Sequence, residues 1–235
     1  GHSHTSLPWD RGGVLPADPA DYRAEVLRLR ALYAGRMDVL LGIEWDACSP
    51  GLPEGFDYWI GSVHNLPAPS GERCCCVDYD EERLTEACRE LAGRDFIALA
   101  RRYYRAAAET AARRPTILGH LDLITKFNQG NRFFDEGAPQ YRAAALEALH
   151  AADPAATLLE INTGAMARGY RETPYPAPFL LREWRCMGGQ VILTADAHSA
   201  SAVLYGYDRA AELARAAGFT CSVLLTSAGP AESPL

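Results

Sequence analysis

The sequence predicts an α/β protein built on a parallel β-sheet that forms a closed or nearly closed barrel. Short apolar runs alternate with amphipathic helical patterns, which is the order of βα units. The runs are near-continuous and contain β-branched residues, as expected for strands covered on both faces. Polar residues follow at least four of the runs, at the end where barrel enzymes carry their chemistry. An open, doubly wound sheet is the alternative, and the polar run ends favour the barrel.

The predicted strands and helices follow one another in a regular order. The apolar runs are DVLLGIEWD (38–46), DYWIGSVHNL (57–66), TILGHLDL (116–123), ATLLEINTG (156–164) and QVILTADAH (190–198). The helical patterns are AEVLRLRALYAG (24–35), RDFIALARRYYRAAAETAARR (94–114), QYRAAALEALHAA (140–152), APFLLREWRCMGG (177–189) and DRAAELARAAGF (208–219). Several helical patterns end in glycine, a common helix stop. With no internal repeat and no long linker, residues 1–235 are predicted to form one domain.

The composition is that of a globular protein with a net negative charge. The formal net charge of -7 at pH 7 argues against a nucleic-acid partner and against an anionic membrane surface. A small phosphorylated substrate remains compatible, because a bound cation reverses the local field. No apolar run approaches the roughly 20 residues needed to cross a bilayer, and the start does not read as a signal peptide. We therefore expect a soluble, cytoplasmic protein.

The seven cysteines predict buried, reduced thiols rather than a zinc site. Cys74, Cys75 and Cys76 are consecutive, and the other four are scattered. Neighbouring residues on a strand point to opposite faces, so three in a row do not supply the paired ligands of a structural zinc site. An odd number of cysteines in a chain without a secretion signal favours free thiols.

Candidate metal ligands are concentrated at the predicted strand ends. Three of the six histidines fall there, and an HxH pair stands at the start of the chain. On an extended segment, the two imidazoles of an HxH pair lie on the same face. All these donors would meet at one barrel mouth and exceed the ligands of a single ion, so two or three divalent ions are expected. Imidazole and carboxylate donors without thiolate favour zinc, manganese or iron. The candidate ligands are His2, His4, Glu44, His64, His120, Asp196 and His198.

The motifs HSHT, GIEWD, SVH, GHLDL, EINTG and ADAHS, in this order, resemble the PHP (polymerase and histidinol phosphatase) superfamily. The longer stretches GHLDLITKFN, EINTGAMARGYRETPYP and TADAHSA are similar to its monofunctional histidinol-phosphatase branch, and the resemblance covers essentially the whole chain. It implies a distorted (β/α)7 TIM-like barrel with a di- or trinuclear metal centre. The implied reaction is hydrolysis of L-histidinol phosphate to L-histidinol and phosphate in histidine biosynthesis.

The resemblance also implies roles for individual ligands. Glu44 would bridge metals, His64 and His120 would each bind one, and Asp196 and His198 would close the site. Catalysis would then fall to Glu44, Asp196 and His198. A metal-bound hydroxide would attack phosphorus, and Asp196 or a neighbouring histidine would pass a proton to the leaving alkoxide.

The start of the chain matches the family in two ways. HSHTS resembles the first HxH strand motif of the family, in which both His2 and His4 are ligands, with a helix and a strand then missing after it. GHSHTSLPW alternatively matches the second strand end of the family, in which case only His2 need be a ligand and the first barrel unit is lacking. Either alignment leaves one ligand group of the family outside this sequence.

Phosphate recognition is predicted for basic residues near the strand ends. Arg168 and Arg171 lie in the loop after the EINTG run, and the guanidinium fork matches phosphate oxygens. Solvated loop arginines are the alternative for both. Lys126, after the GHLDL run, would also contact phosphate. Asn162 would hydrogen-bond the substrate or serve a structural purpose.

Other residues near the strand ends are predicted to support the site. Asn128 would cap its loop, and Asp122 would hydrogen-bond the metal-binding His120. The aromatic segment from Tyr170 to Pro176 would either wall a substrate pocket or form a lid against the helices.

Three other functions are compatible with such a site. The first is a PHP phosphoesterase that acts on nucleotides or another small phosphate ester. The second is an amide-cleaving barrel metallohydrolase, in which a carboxylated lysine usually stands where this chain has Glu44. The third is a metal-binding homologue without catalytic activity.

Overall fold

The computed structural model describes residues 19–235, whose strands and helices alternate along the chain. The strands are β1 (Gly42–Asp46), β2 (Tyr58–Ser62), β3 (Asn65–Pro67), β4 (Cys74–Cys76), β5 (Ile117–Leu118), β6 (Leu158–Asn162), β7 (Gln190–Thr194), β8 (Cys221–Thr226) and β9 (Gly229–Pro234). The helices are α1 (Pro19–Leu32), α2 (Glu81–Ala92), α3 (Phe96–Ala112), α4 (Pro139–His150), α5 (Gly164–Ala167), α6 (Pro178–Cys186) and α7 (Tyr207–Ala216). Short 3-10 turns cover Leu123–Thr125 and Ala200–Ala202.

The central sheet contains five parallel strands in the spatial order β1-β2-β5-β6-β7. Because all five strands run in the same direction, their carboxyl ends lie along one edge. This edge carries the polar residues that follow the strands. The predicted α/β architecture with a parallel sheet is therefore confirmed.

The predicted barrel closure is not found in the part of the chain that the structure describes. There, β1 and β7 are the outer strands of an open sheet. A barrel with a filled interior takes about eight strands, and residues 19–235 contribute five to this sheet. The remaining strands form two antiparallel hairpins, β3–β4 and β8–β9.

The five apolar runs of the sequence form the five strands of the sheet, and the five helical patterns form α1, α3, α4, α6 and α7. Three of these helices begin with a proline, Pro19 in α1, Pro139 in α4 and Pro178 in α6. Proline suits that position because its missing N–H is not needed there. No helix in the described range is long and apolar enough to cross a membrane.

The three consecutive cysteines form β4 and are all buried, as predicted. This strand pairs with β3, and α2 packs against it. All seven cysteines lie in the described part of the chain, and none of them forms a disulfide.

Large aromatic side chains pack the helices against the sheet. Tyr104 of α3 donates a hydrogen bond to Tyr141 of α4 over 2.8 Å, and both rings are buried. Trp184 of α6 is also buried, and its Nε1 donates to the carbonyl oxygen of Gln190 at 2.8 Å. Burying such side chains stabilises a fold by about 1.5–3 kcal/mol each. The strand ends are thus carried on a sheet that is packed against helices.

Candidate metal centre

Three predicted ligands meet at the carboxyl edge of the sheet. Glu44 lies on β1, His64 follows β2, and His120 follows β5, and these three strands are neighbours. One carboxylate oxygen, Oε1 of Glu44, lies 2.8 Å from Nε2 of His64 and 3.0 Å from Nε2 of His120. The donor atoms of the three residues all lie within 4.8 Å of one another. We call Glu44, His64 and His120 the histidine–glutamate cluster.

A glycine allows the strands to approach closely beside this cluster. A Cβ at Gly119 would lie 2.7 Å from Cγ2 of Ile60 and 2.7 Å from Oγ of Ser62. Such contacts are shorter than van der Waals separation, so only glycine fits without a shift. His120 is the next residue, and its position depends on this close approach.

The protonation of the cluster fits a cation site. Burial lowers the pKa of His64, but the carboxylates of Asp78 and Glu44 outweigh burial and raise it well above its ordinary value. Burial also lowers the pKa of His120, and its hydrogen bond to Glu44 raises the net value. In the metal-free chain, the neighbouring carboxylates therefore favour a positive charge on both imidazoles. A bound metal ion would supply such a charge, because imidazole and carboxylate donors suit zinc, manganese or iron.

Asp78 and Lys126 extend the cluster on the side of His64. Nδ1 of His64 lies 3.2 Å from Oδ2 of Asp78. Nζ of Lys126 lies 3.7 Å from the same oxygen and donates to the carbonyl oxygen of Asp78. Burial raises the pKa of Asp78, but His64 and then Lys126 hold it below its ordinary value. Asp78 was not among the predicted site residues, and it is placed to orient His64.

Glu160 supports the cluster on the side of His120. Its Oε2 accepts hydrogen bonds from the backbone N–H of His120 at 2.6 Å and from Nδ2 of Asn162 at 3.1 Å. Its Oε1 accepts from Oγ1 of Thr194 at 2.7 Å. The other side-chain group of Asn162, Oδ1, accepts from the backbone N–H of Gly164 at 2.8 Å. Both polar groups of the buried Asn162 side chain therefore form hydrogen bonds within the protein.

Asp46 supports the turns after β1 and β2. Its Oδ1 accepts from the backbone N–H of Cys48 at 2.8 Å, and its Oδ2 accepts from the backbone N–H of His64 at 2.8 Å. Asp46 ends an apolar run and Glu160 lies within another, and a charged residue in such a run was the signal available in the sequence.

Asp196 and His198 form a second group around Arg168. Nη2 of Arg168 lies 3.0 Å from Oδ2 of Asp196, and Nη1 lies 3.0 Å from Nδ1 of His198. Asp196 adopts a left-handed conformation with φ 45, which is uncommon for a residue other than glycine. Neither Asp196 nor His198 is within the histidine–glutamate cluster. Arg168 provides the positive charge next to this second set of predicted ligands.

Arg171 and Asn128 hold the loops beside the site. Nη1 of Arg171 donates to the carbonyl oxygen of Thr125 at 2.9 Å and to Oε1 of Glu136 at 3.0 Å. Its side chain is only 10% exposed, so it is not a solvated loop arginine. Oδ1 of Asn128 accepts backbone N–H groups of residues 133 and 134, which confirms the predicted loop cap.

The predicted hydrogen bond between Asp122 and His120 is not formed. Oδ2 of Asp122 instead accepts the backbone N–H of Ala177 at 2.8 Å. Among the described residues, Oδ1 of Asp122 and Nδ1 of His120 have no hydrogen-bond partner. Burial raises the pKa of Asp122 to about 6, although Arg171 opposes the shift.

The aromatic segment after β6 contributes one buried and one exposed tyrosine. Tyr175 is buried, with its ring centroid 6.4 Å from that of His120. Tyr170 is 39% exposed and packs edge-on against Phe127, and its ring centroid lies 5.0 Å from Nζ of Lys126. The segment thus lines the side of the site that contains Lys126. The predicted ligands His2 and His4 lie outside the described residues.

Comparison with known proteins gives a consistent set of relatives. The chain is 34% identical over 212 residues to a Deinococcus radiodurans protein named "probable histidinol-phosphatase", covering 84% of this chain and 72% of that protein. It is 26% identical over 220 residues to the histidinol-phosphatase of Bacillus subtilis, covering 86% of this chain and 78% of that protein. No family model matches the chain.

The fold is also similar to a solved structure. This is a histidinol phosphate phosphatase of Lactococcus lactis in complex with zinc, L-histidinol and phosphate. The TM-score is 0.67 at 21% sequence identity, over 98% of this chain and 84% of the other.

Proposed function

Because the chain belongs to the histidinol-phosphatase family of the PHP superfamily, we propose that it hydrolyses L-histidinol phosphate to L-histidinol and phosphate. The observation that carries this proposal is the shared carboxylate oxygen of Glu44, which lies between two imidazoles at the carboxyl edge of a parallel sheet. A phosphate monoester hydrolyses very slowly without help, and a cluster of this kind holds the divalent ions that such a reaction needs.

Two or three divalent ions, zinc, manganese or iron, are part of the proposal. Glu44, His64 and His120 would form one group of metal ligands. Asp196 and His198 would form another once Arg168 releases them. His2, with or without His4, would complete the set. When bound, the ions would neutralise the phosphate charge and activate water.

The other residues of the chain would orient the ligands and the substrate. Asp78 would fix the ring of His64, and Glu160 would fix the backbone at His120. Lys126 and Arg168 would contact the phosphate, because each has a positively charged side chain beside the proposed metal ligands or the residues that support them. Arg171 and Asn162, predicted as substrate contacts, form hydrogen bonds to other residues of the protein. We propose that they hold the loops around the substrate.

Proton transfer completes the proposed reaction. Asp196 or His198 would give a proton to the alkoxide oxygen as it leaves phosphorus, while Glu44 keeps the two imidazoles in place. A general acid placed in this way contributes typically about 10²- to 10⁴-fold to a rate.

We further propose that residues 1–235 form one domain and that the five-stranded sheet belongs to a distorted (β/α)7 barrel. The similarity to the Lactococcus lactis structure over 98% of this chain supports this arrangement. A single cooperative transition in calorimetry is the expected behaviour of one domain.

The experiment that tests the function is a measurement of phosphate release. The purified chain is loaded with zinc or manganese and given L-histidinol phosphate, with a nucleoside monophosphate as the comparison substrate. We expect release from histidinol phosphate to exceed release from the nucleotide. Arg168→Ala should raise the KM for histidinol phosphate, whereas Arg182→Ala, an exposed control in α6, should not.

Retained metal with release from the nucleotide alone would overturn the assignment in favour of a nucleotide phosphoesterase. Retained metal without release from either ester would indicate a homologue without this activity.

A further inference from the structure

Arg168 contacts two of the proposed metal ligands at the same time. Its Nη2 lies 3.0 Å from Oδ2 of Asp196, and its Nη1 lies 3.0 Å from Nδ1 of His198. Nη1 also donates to the carbonyl oxygen of Asp196 at 3.1 Å. The guanidinium therefore faces both the carboxylate and the imidazole through which these two residues would bind an ion.

The backbone at the ends of β6 and β7 favours this contact. A Cβ at Gly164 would lie 2.8 Å from Oδ2 of Asp196 and 3.0 Å from Nη2 of Arg168, so the missing side chain at Gly164 leaves room for the ion pair. The backbone N–H of Arg168 donates to the carbonyl oxygen of Gly164 at 3.2 Å. Asp196 has a left-handed φ of 45, which is uncommon for a residue other than glycine. The ion pair is thus built into these two turns.

Asp196 and His198 are also spaced to bind one ion together. Nδ1 of His198 lies 3.8 Å from Oδ1 of Asp196, a separation that one zinc ion with bonds of about 2.1 Å can bridge. A guanidinium and a divalent cation repel each other, and here both are attracted to the same carboxylate. Arg168 in its present position therefore opposes the binding of an ion to Asp196 and His198.

Phosphate is suited to draw Arg168 away from these ligands. The guanidinium fork matches phosphate oxygens, and the side chain of Arg168 is 29% exposed, so an anion can reach it. A phosphate that binds Arg168 would leave the Asp196 carboxylate and the His198 imidazole free to bind an ion. Such a linkage is reciprocal, because each ligand changes the affinity for the other by the same factor.

We propose that Arg168 competes with a divalent ion for Asp196 and His198 and that phosphate removes this competition, so that the ion and phosphate bind cooperatively. The competition rests on the proposed function, because it requires a metal centre that binds phosphate. Its test needs no turnover. Hydrolysis of histidinol phosphate without the coupling would contradict the competition alone, and coupling without hydrolysis would contradict the assigned reaction alone.

Zinc titration of the full chain against a chromophoric chelator, with and without inorganic phosphate, tests the competition. Without phosphate, we expect Arg168→Ala to bind its most weakly held zinc ion more tightly than the wild type, by about 5- to 150-fold, the usual range for coupled sites. Phosphate should raise the zinc affinity of the wild type by a larger factor than that of Arg168→Ala. Arg182→Ala, which removes an exposed charge on α6, should match the wild type in both conditions.

A His198→Ala background shows whether the effect is local. This substitution removes a ligand of the ion concerned, so adding Arg168→Ala should raise zinc affinity much less than it does with His198 present. An equal increase in both backgrounds would overturn the proposal, because the effect would then come from net charge. Unchanged or lower zinc affinity of Arg168→Ala without phosphate would also overturn it.

Arg168→Gln keeps a polar side chain but removes the charge. It should raise zinc affinity as Arg168→Ala does, and it provides the same comparison if the alanine variant does not fold. Wild-type zinc affinity in Arg168→Gln without phosphate would show that the guanidinium does not compete with the ion.

Discussion

At the scale of single residues, Asp78 is the main group that the sequence did not point to. It hydrogen-bonds Nδ1 of His64, whose Nε2 faces Glu44. Carboxylates in this position orient a ligating imidazole, and their loss typically lowers metal affinity about 10- to 100-fold. We expect Asp78→Asn to weaken zinc binding by that factor, measured by competition with a chromophoric chelator.

A matched control for Asp78→Asn is Glu82→Gln, which alters an exposed carboxylate on α2. The control should bind zinc like the wild type. Equal zinc affinity of Asp78→Asn and the wild type would show that Asp78 does not orient His64.

The pH dependence of stability provides a second prediction at this scale. Asp122 has a pKa of about 6 in the fold, against roughly 3.9 in an unfolded chain. The folded state therefore keeps this proton to higher pH, so the contribution of Asp122 to stability is full below pH ~4 and is lost as the pH rises through ~6. Asp122→Asn cannot ionise and keeps an oxygen for the N–H of Ala177.

We expect the metal-free Asp122→Asn variant and the wild type to have the same free energy of unfolding near pH 4. At pH 7 the free energy of unfolding of the variant should be higher by roughly 1–3 kcal/mol. Urea titrations of both proteins in EDTA, at several pH values, measure the difference. A difference that does not change with pH would contradict the shifted pKa.

The sequence predicted Glu44, His64 and His120 together because each lies in or just after a strand of one parallel sheet. It could not place Asp78 with them. That contact depends on the register of the β3–β4 hairpin, which brings the backbone N–H of Val77 to 3.0 Å from the carbonyl oxygen of His64. The hairpin strands are three residues long, too short for an alternating pattern to specify their pairing.

At the scale of elements, the close approach of β2 and β5 makes Gly119 a sensitive position. A Cβ there would overlap Ile60 and Ser62, and overpacking of this kind costs about 1–3 kcal/mol. We expect Gly119→Ala to lower the free energy of unfolding by that amount and to weaken metal binding, because His120 follows directly. Urea denaturation and zinc titration measure the two effects.

Gly137→Ala is the control for this substitution. Its Cβ would meet only the side chain of Asp135, at 3.0 Å, and its stability should stay within about 1 kcal/mol of the wild type. If Gly119→Ala and Gly137→Ala had the same free energy of unfolding, β2 and β5 would leave more space at Gly119 than the contacts indicate.

The elements themselves were mostly predictable, because the hydrophobic period of each run or helix is a local signal. The helix α2 lies outside the predicted helices although its sequence has the usual signals. Asp80 caps its start, Gly93 ends it, and its apolar residues share one face. The β8–β9 hairpin gave no such signal, since residues of β9 are largely exposed and include two prolines.

At the scale of the whole molecule, closure of a barrel is a property of all strands together. The sequence supports each strand separately, and the polar strand ends are equally compatible with one edge of an open sheet. The described residues form such an open sheet, so the polar ends brought Glu44, His64 and His120 to one edge while leaving the closure of the sheet undetermined.

Metal removal is the prediction that involves the whole molecule. Ions that bind the folded state but not the unfolded chain stabilise it by about 2.7 kcal/mol for each ion present at 100 times its Kd. In a chain of this length, 1 kcal/mol corresponds to roughly 2–4 °C in Tm. We therefore expect EDTA to lower the Tm of the metal-loaded protein by about 5–11 °C for each ion lost.

Two variants make this measurement specific to the histidine–glutamate cluster. His64→Ala removes one ligand of the cluster, so EDTA should change its Tm much less than that of the wild type. His150→Ala removes an exposed imidazole that pairs with Glu183, and its response to EDTA should equal that of the wild type. Scanning calorimetry of the three proteins, with and without EDTA, measures the shifts. If His64→Ala responded as fully as the wild type, the stabilising ions would bind elsewhere, and Glu44, His64 and His120 would not be the metal centre.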